Sequence, residues 1–155
     1  MASTAALRAL REAKVAFEEH RYRYEEKGGT AASAAAFDVD EHVVIKTLVF
    51  ETETKAPLIV LMHGDRSVST KQLARHLGVK TTKPCAPDVA ERHTGYRLGG
   101  TSPFGLKKAI PVYAESSIFA LDRIFINGGQ RGLLVSLAPS VVDELLSPER
   151  VSVAT

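Results

Sequence analysis

Thr94-Gly95-Tyr96-Arg97-Leu98-Gly99-Gly100-Thr101-Ser102-Pro103-Phe104-Gly105 holds four glycines in one short run. After one hydrophobic passage a second cluster follows, Asn127-Gly128-Gly129-Gln130-Arg131-Gly132, with three more of the chain's eleven. Glycine takes positive φ readily and lets another backbone or a ligand come close, but it loses the most entropy on folding. A chain that concentrates it this way is using bare backbone. Two uses stay open at this level. Gly-Gly commonly marks a tight turn. Alternatively, backbone N–H groups aimed at one point bind an anion or a developing oxyanion. Gly99-Gly100 does not open a helix, because Pro103 and Gly105 follow, so a dinucleotide-binding loop is a poor match.

Around these runs the pattern alternates between buried strands and short helices. Val43 to Phe50 is apolar on both faces except for Lys46, and Leu58 to Met62 repeats the pattern. Both read as interior strands. Arg123 to Asn127 and Leu133 to Leu137 read as a hairpin across Gly128 to Gly132. Ile110 to Tyr113 reads as an edge strand because of Pro111. Arg21 to Tyr24 alternates as a half-exposed edge strand or, on a functional reading, brings one Tyr to a pocket.

Ser3 or Thr4 caps a helix whose apolar stripe Ala6, Leu10, Ala13, Phe17 runs toward His20. Thr30 to Phe37 is alanine-rich and helical, and Asp40 caps a short turn. Ser69 with Gln72 forms a capping box for a helix to Leu77, stopped by Gly78. Thr81 to Pro87 reads as strand then loop, and Asp88 with Glu91 opens a short helix to His93. Ser116 to Leu121 is a helical turn. Ser140 caps a last helix to Leu146, and the tail from Ser147 reads as loose. Helices and strands mix without strict βαβ alternation. The expectation is α+β: a mixed sheet, curved toward a partly open barrel, with helices around it, in a single domain over residues 1–155.

The 155 residues are 45% hydrophobic, enough for a core, with a formal charge of +2 and a pI near 8.7. That permits a nucleic-acid partner without announcing one. Cys85 is the single cysteine, which excludes an internal disulfide and disfavours a cysteine-based zinc site. No stretch approaches the ~20 apolar residues of a membrane span. The N-terminus lacks the apolar core of a signal peptide, so a cytoplasmic setting without a membrane is expected.

Lys46 is the second focus. A lysine within an apolar strand snorkels or meets an anion. That anion is either a distant carboxylate or a ligand phosphate or polarised carbonyl, for which a compact point charge is suited. Other templates fail. No phosphate-binding P-loop, His-Glu-x-x-His or paired-cysteine motif occurs, and His20, His42, His63, His76 and His93 show no metal-ligand spacing and read as surface residues. Cys85, between Pro84 and Ala86, reads as buried rather than nucleophilic.

Three pieces together carry a family resemblance: Val44-Ile45-Lys46-Thr47-Leu48, the run from Thr94 to Gly105, and Gly128-Gly129-Gln130-Arg131-Gly132. In order and spacing the chain resembles the YbaK/EbsC family from about Leu7 to Leu146. These are relatives of the editing domain inserted in bacterial prolyl-tRNA synthetases. The resemblance implies a trans-editing enzyme that hydrolyses mischarged tRNA(Pro), cysteinyl- or alanyl-tRNA, with the synthetase as a possible partner and with no metal and no organic cofactor. It implies that Lys46 is the essential lysine and that Gly99 and Gly100 set backbone donors against the substrate carbonyl and terminal ribose. It implies that Tyr22 lines the pocket, and that Thr47, Tyr96, Thr101, Ser102, Gly128, Gly129 and Arg131 lie at the substrate. Two departures stand out. Leu134 occupies the place where an acidic residue usually follows the second glycine cluster, and Gly28 to Ser33 is smaller and richer in alanine. Two other classes compete: a non-enzymatic module that grips the tRNA end or the synthetase, and a small-nucleotide binder.

Overall fold

The computed structural model describes residues 3–155. In chain order its elements are α1 (Ala5–Glu12), β1 (Glu18–Arg21), α2 (Gly29–Phe37), β2 (Val44–Thr52), β3 (Pro57–His63), α3 (Thr70–Leu77) and β4 (Thr82–Pro84). Then come α4 (Pro87–Thr94), β5 (Val112–Glu115), β6 (Ile124–Gln130), β7 (Leu133–Leu137), α5 (Ser140–Leu146) and β8 (Glu149–Val151). Short 3-10 turns at Glu41–Val43 and Ser116–Ala120 precede β2 and follow β5.

The eight strands form one mixed sheet in the order β1-β7-β6-β2-β3-β5-β8, with β4 on a further stretch of β2. Pairing is antiparallel for β2–β3 and β6–β7 and parallel for β2–β6, β3–β5 and β5–β8. The sheet does not close on itself. The α+β class with a mixed sheet therefore holds.

Strand alternation sorts the core. Ile59 and Leu61 of β3 join Ile45, Ile126 and Val135 on one face, under α1 and α5. Leu7 and Leu10 of α1 are fully buried there, each contributing about 1.5–3 kcal/mol of burial. On the other face, Leu58, Val60 and Met62 pack with Phe50, Leu73 and Val151, while Val44, Phe125 and Leu134 pack with Ala34 of α2 and Phe37. Lys46 falls on this second face, between Val44 of one cluster and Leu48 of the other. The gap between the two clusters is where the cavity opens.

Several expectations need correction. The first helix stops at Glu12, not near His20, because Lys14 takes φ 58°. Val15 and Phe17 still pack on the core, but from extended chain, and His20 sits in β1 opposite Leu134. The strand predicted at Arg21 to Tyr24 lies earlier. Tyr22 has left it, although its N–H still donates to the Gly132 carbonyl at 2.9 Å. β5 is interior, between β3 and β8. Pro111 precedes it, so its missing N–H costs no ladder bond, and its carbonyl accepts from Ile59 at 2.9 Å. The tail is not loose: β8 pairs with β5, Val151 and Val153 are buried, and Ala154 bridges to Val68. β6 runs on through Gly128 and Gly129 with a bulge, so the turn is confined to Arg131-Gly132.

Candidate functional site

A cavity of about 600 Å³ lies at the gap. The middle of β2 supplies Val44 to Leu48. The chain before α2 supplies Tyr22 and Tyr24 to Lys27, and α2 itself Thr30, Ala32 and Ser33. Leu98, Gly99 and Thr101 come from the loop after α4, Asn127 from β6, Arg131 from the turn and Leu134 from β7.

Six of the eleven residues that the resemblance sets at the site line this space: Tyr22, Lys46, Thr47, Gly99, Thr101 and Arg131. Among the described residues no carboxylate lies within 4.0 Å of the Lys46 ammonium, although Glu25 and Glu26 share the lining. Buried Thr47 Oγ1 has no hydrogen-bond partner among the described residues. The other Ser and Thr hydroxyls of the lining are occupied: Thr30 donates to Glu41 at 2.6 Å, Ser33 to the Thr30 carbonyl at 3.1 Å and Thr101 to the Arg97 carbonyl at 3.4 Å. An unmet buried hydroxyl costs about 1–3 kcal/mol; strand alternation sets the Thr47 side chain on the Ile45 face, opposite Lys46. Burial and the neighbouring Tyr24 raise the Tyr22 phenol, which keeps it neutral.

The other five stand behind the lining. Gly100 backs onto the second glycine cluster: a Cβ there would meet Arg131 N at 2.9 Å and Gln130 C at 3.0 Å. Its N–H donates to the Arg97 carbonyl at 2.8 Å. Ser102 is fully buried, and its Oγ accepts from Phe104 N–H at 3.1 Å. Tyr96 is buried too; its hydroxyl donates to the Phe104 carbonyl, and burial pushes it up to about 12. Gly128 offers its carbonyl to Thr4 Oγ1, and Gly129 lies against Tyr96 and Thr4. These residues fix the loop rather than face the cavity.

The fixing is specific. Asn127 Nδ2 donates to the Gly99 carbonyl at 3.1 Å, while its Oδ1 accepts from Gly129 N–H at 2.7 Å and Gln130 N–H at 3.1 Å. Arg131 Nε donates to the Leu98 carbonyl at 2.8 Å. A peptide is planar and trans, so pinning a carbonyl aims the following N–H the opposite way. The carbonyls of Leu98 and Gly99 are thus both held by the second cluster. The N–H groups of Leu98, Gly99 and Thr101 find no acceptor among the described residues. Gly99 stands at φ 85°, and a Cβ would come within 2.5 Å of the Tyr24 hydroxyl, so the position requires glycine.

Sequence reasoning missed Asn127, Tyr24 and Leu98 as members of the site. Asn127 carried a usable signal: Asn before Gly-Gly is the signature of a side chain that accepts from the backbone two residues on. Tyr24 shared the alternation that brought one Tyr of Arg21 to Tyr24 to a pocket, and both tyrosines line it; Leu98 carried no signal.

His63 corrects the expectation of surface histidines. It is 1% exposed, with Nδ1 on the His42 carbonyl at 2.8 Å and Nε2 on Ser117 Oγ at 2.7 Å. The His42 ring stacks on it at 3.7 Å. Neither His63 nor Ser117 lines the cavity. Among the described residues no group of three or more His, Cys, Asp or Glu is placed to hold a metal. Cys85 points its thiol at Glu51, and burial raises it to about 11, away from thiolate chemistry. No helix of the described residues is long and apolar enough to cross a membrane.

The cavity sets the Lys46 ammonium and backbone donors without acceptors beside an apolar stretch of sheet, an arrangement that can receive an anionic or carbonyl oxygen. The sequence from 25 to 145 matches the model of the aminoacyl-tRNA editing domain, and the chain belongs to that family. It is 28% identical over 153 residues to a protein of Enterococcus faecalis named "Putative Cys-tRNA(Pro)/Cys-tRNA(Cys) deacylase EbsC", covering 98% of this chain and 93% of that one. It is also 28% identical over 94 residues to a proline--tRNA ligase of Brachyspira hyodysenteriae, a match spanning 61% of this chain and 16% of the ligase. Two crystal structures share the fold. The hypothetical protein APE2540 aligns with a TM-score of 0.89 at 17% identity, over 97% of this chain and 99% of that one. The structure described as "a putative trans-editing enzyme for prolyl tRNA synthetase" aligns with a TM-score of 0.84 at 19% identity, over 100% and 99%.

Proposed function

We propose that this protein is a trans-editing deacylase that hydrolyses the ester of mischarged tRNA(Pro), with cysteinyl-tRNA(Pro) as its first substrate and alanyl-tRNA(Pro) its second. The observation that carries this reading is the meeting of Lys46, free of any carboxylate partner among the described residues, with the unpaired Gly99 N–H across one cavity. Membership of the editing family supports the reaction class.

The ester carbonyl lies against the Gly99 N–H, which takes the charge of the tetrahedral oxyanion. One such donor is worth about 3 kcal/mol. Lys46 holds the carbonyl or the terminal phosphate and fixes the reacting geometry. Water attacks the carbonyl carbon, the bond to the ribose oxygen breaks and that oxygen takes the proton, releasing amino acid and tRNA. No imidazole or thiol lies in the lining, so no enzyme-bound acyl intermediate is invoked. With a cysteinyl ester the substrate's own thiol is the rival nucleophile. It forms the C–S bond as the C–O bond breaks, and its proton passes to the ribose oxygen.

The aminoacyl side chain meets Tyr22, Val44 and Leu134, an apolar wall that suits small uncharged groups. Size alone separates substrates weakly, by about 1–3 kcal/mol per methylene, so prolyl-tRNA is spared by exclusion of its ring. The tRNA body, with the synthetase as a partner, supplies the rest of the selectivity. The experiment is a deacylation panel of cysteinyl-, thiol-blocked cysteinyl-, alanyl-, seryl- and prolyl-tRNA(Pro). Fast cysteinyl hydrolysis with prolyl-tRNA untouched is the expected result. Unchanged rates after thiol blocking assign water as nucleophile. Binding without turnover on every member would make the protein a tRNA-gripping module instead.

A further inference from the structure

Leu98, Tyr24 and Arg131 form a feature that hydrolysis itself does not use. Leu98 is 57% exposed, the large apolar side chain left in solvent among the described residues, and it lines the cavity. An exposed leucine alone means little; its company singles it out. The Arg131 guanidinium lies over the Tyr24 ring, with Cζ 5.0 Å from the centroid, while its Nε is tied to the Leu98 carbonyl at 2.8 Å. No carboxylate of the described residues lies within 4.0 Å of that guanidinium. A planar cation held in one orientation, an aromatic ring and an isobutyl group thus share one side of the cavity.

We propose that this trio is the platform on which the 3′-terminal adenine of the RNA stacks. The inference rests on the deacylase reading, which puts the ester carbonyl at Gly99. The terminal base is joined to that ester through a single ribose, and Leu98 is the residue immediately before Gly99, about 3.8 Å away between Cα atoms. Aromatic and guanidinium planes stack any nucleobase by its π-face. A terminal phosphate would use the edge of the guanidinium, but it gains nothing from an exposed leucine or a tyrosine ring. A base uses all three.

The test employs an acceptor-stem RNA hairpin whose terminal adenine is replaced by 2-aminopurine, a base whose fluorescence falls when it stacks. It is titrated with wild type, Leu98→Ser and Arg131→Lys, each checked for an unchanged thermal melt. Wild type should quench the base. Each variant should bind about 5- to 100-fold more weakly or leave the base bright, the range expected for one lost stacking contact. KM for the aminoacylated RNA should rise by a similar factor. On an RNA with an abasic 3′ end, wild type and Leu98→Ser should converge. Quenching by both variants equal to wild type, or a wild type that hydrolyses its substrate while the base stays bright, would overturn the platform. The fluorescence needs no turnover. Quenching by a wild type that deacylates nothing would therefore leave the platform standing and remove the deacylase reading.

Discussion

Asn127 gives the sharpest test of how the two glycine clusters make one site. Its Oδ1 accepts from two N–H groups at 2.7 and 3.1 Å, and its Nδ2 donates to the Gly99 carbonyl at 3.1 Å. A hydrogen bond contributes about 0.5–1.5 kcal/mol net. Asn127→Ala loses all three, and because water can replace part of them the expected loss of stability is about 1.5–3 kcal/mol. Asn127→Asp keeps both acceptor bonds and loses the donor, setting a carboxylate against the Gly99 carbonyl. Its stability should stay within about 1 kcal/mol of wild type, while the Gly99–Gly100 peptide loses its anchor and the neighbouring Leu98–Gly99 peptide, which carries the Gly99 N–H, is left to Arg131 alone.

A misaimed oxyanion donor is worth up to about 3 kcal/mol in the transition state, or ~100-fold in rate. The assay pairs deacylation kinetics with urea midpoints. Asn127→Asp should show kcat reduced at least ~10-fold at a near-native midpoint, with KM changed less. Asn127→Ala should lose both activity and midpoint. A full kcat in the aspartate variant would refute the claim that the second cluster aims the first.

Lys46→Ala should abolish deacylation and shift stability by no more than about 1 kcal/mol, since no ion pair among the described residues is broken; rates and melting temperature measured together check it, and a wild-type rate would take Lys46 out of the mechanism. Gly100→Val should lower stability, read from urea unfolding, by about 1–3 kcal/mol, because its Cβ meets the backbone of Gln130 and Arg131 rather than substrate space. Activity should fall with it, and a stable, fully active valine variant would separate the clusters. Burial holds His63 below the ordinary imidazole range, with the His42 ring and carbonyl, Ser117, Asp65 and Glu115 around it. The unfolded chain therefore binds more protons as pH falls through about 6.5, so stability is full above that value and drains below it. Thermal melts from pH 8 to pH 5 should decline toward acid, and less steeply in His63→Gln.

What the sequence made legible is what a local pattern dictates. The Ser69 cap and the Gly78 stop appear as read, with Ser69 Oγ accepting from Gln72 N–H at 3.2 Å and Gly78 at φ 70°. The apolar runs of β2 and β3 are interior strands because both faces are covered. The end of α1 was not legible, since the stripe through Ala13 and Phe17 has helical spacing whether or not Lys14 turns left-handed. The tail was not legible either: it pairs with β5, and its valines gain burial from β3, Leu73 and Val68, partners far away in sequence. At the site the same division holds. Lys46 announced itself as a charge out of place. The join between the two glycine clusters depends on which backbone meets which. Gly100 cannot be told from Gly99 by composition, yet one packs on Arg131 and the other lines the cavity.

That division bears on how such a site reacts. Imidazole and hydroxyl do meet in this protein, at His63 with Ser117 and at His20 with Ser136, both at 2.7 Å. With His63 Nδ1 turned to a backbone carbonyl it must carry its proton there, so Nε2 is left to accept from Ser117. That is the tautomer a nucleophilic serine needs. Yet neither pair lines the cavity, and Ser136 is further engaged by Arg123. A dyad without a seat for an acyl group has nothing to attack. The cavity has the opposite endowment: donors and a cation, but no side-chain nucleophile with a base beside it. An aminoacyl ester is already activated, so position and oxyanion stabilisation suffice where an amide would demand more. The residues that matter most to rate are then those that hold peptides still, and Asn127 and Arg131 do this for Gly99 from the far side of the second glycine turn.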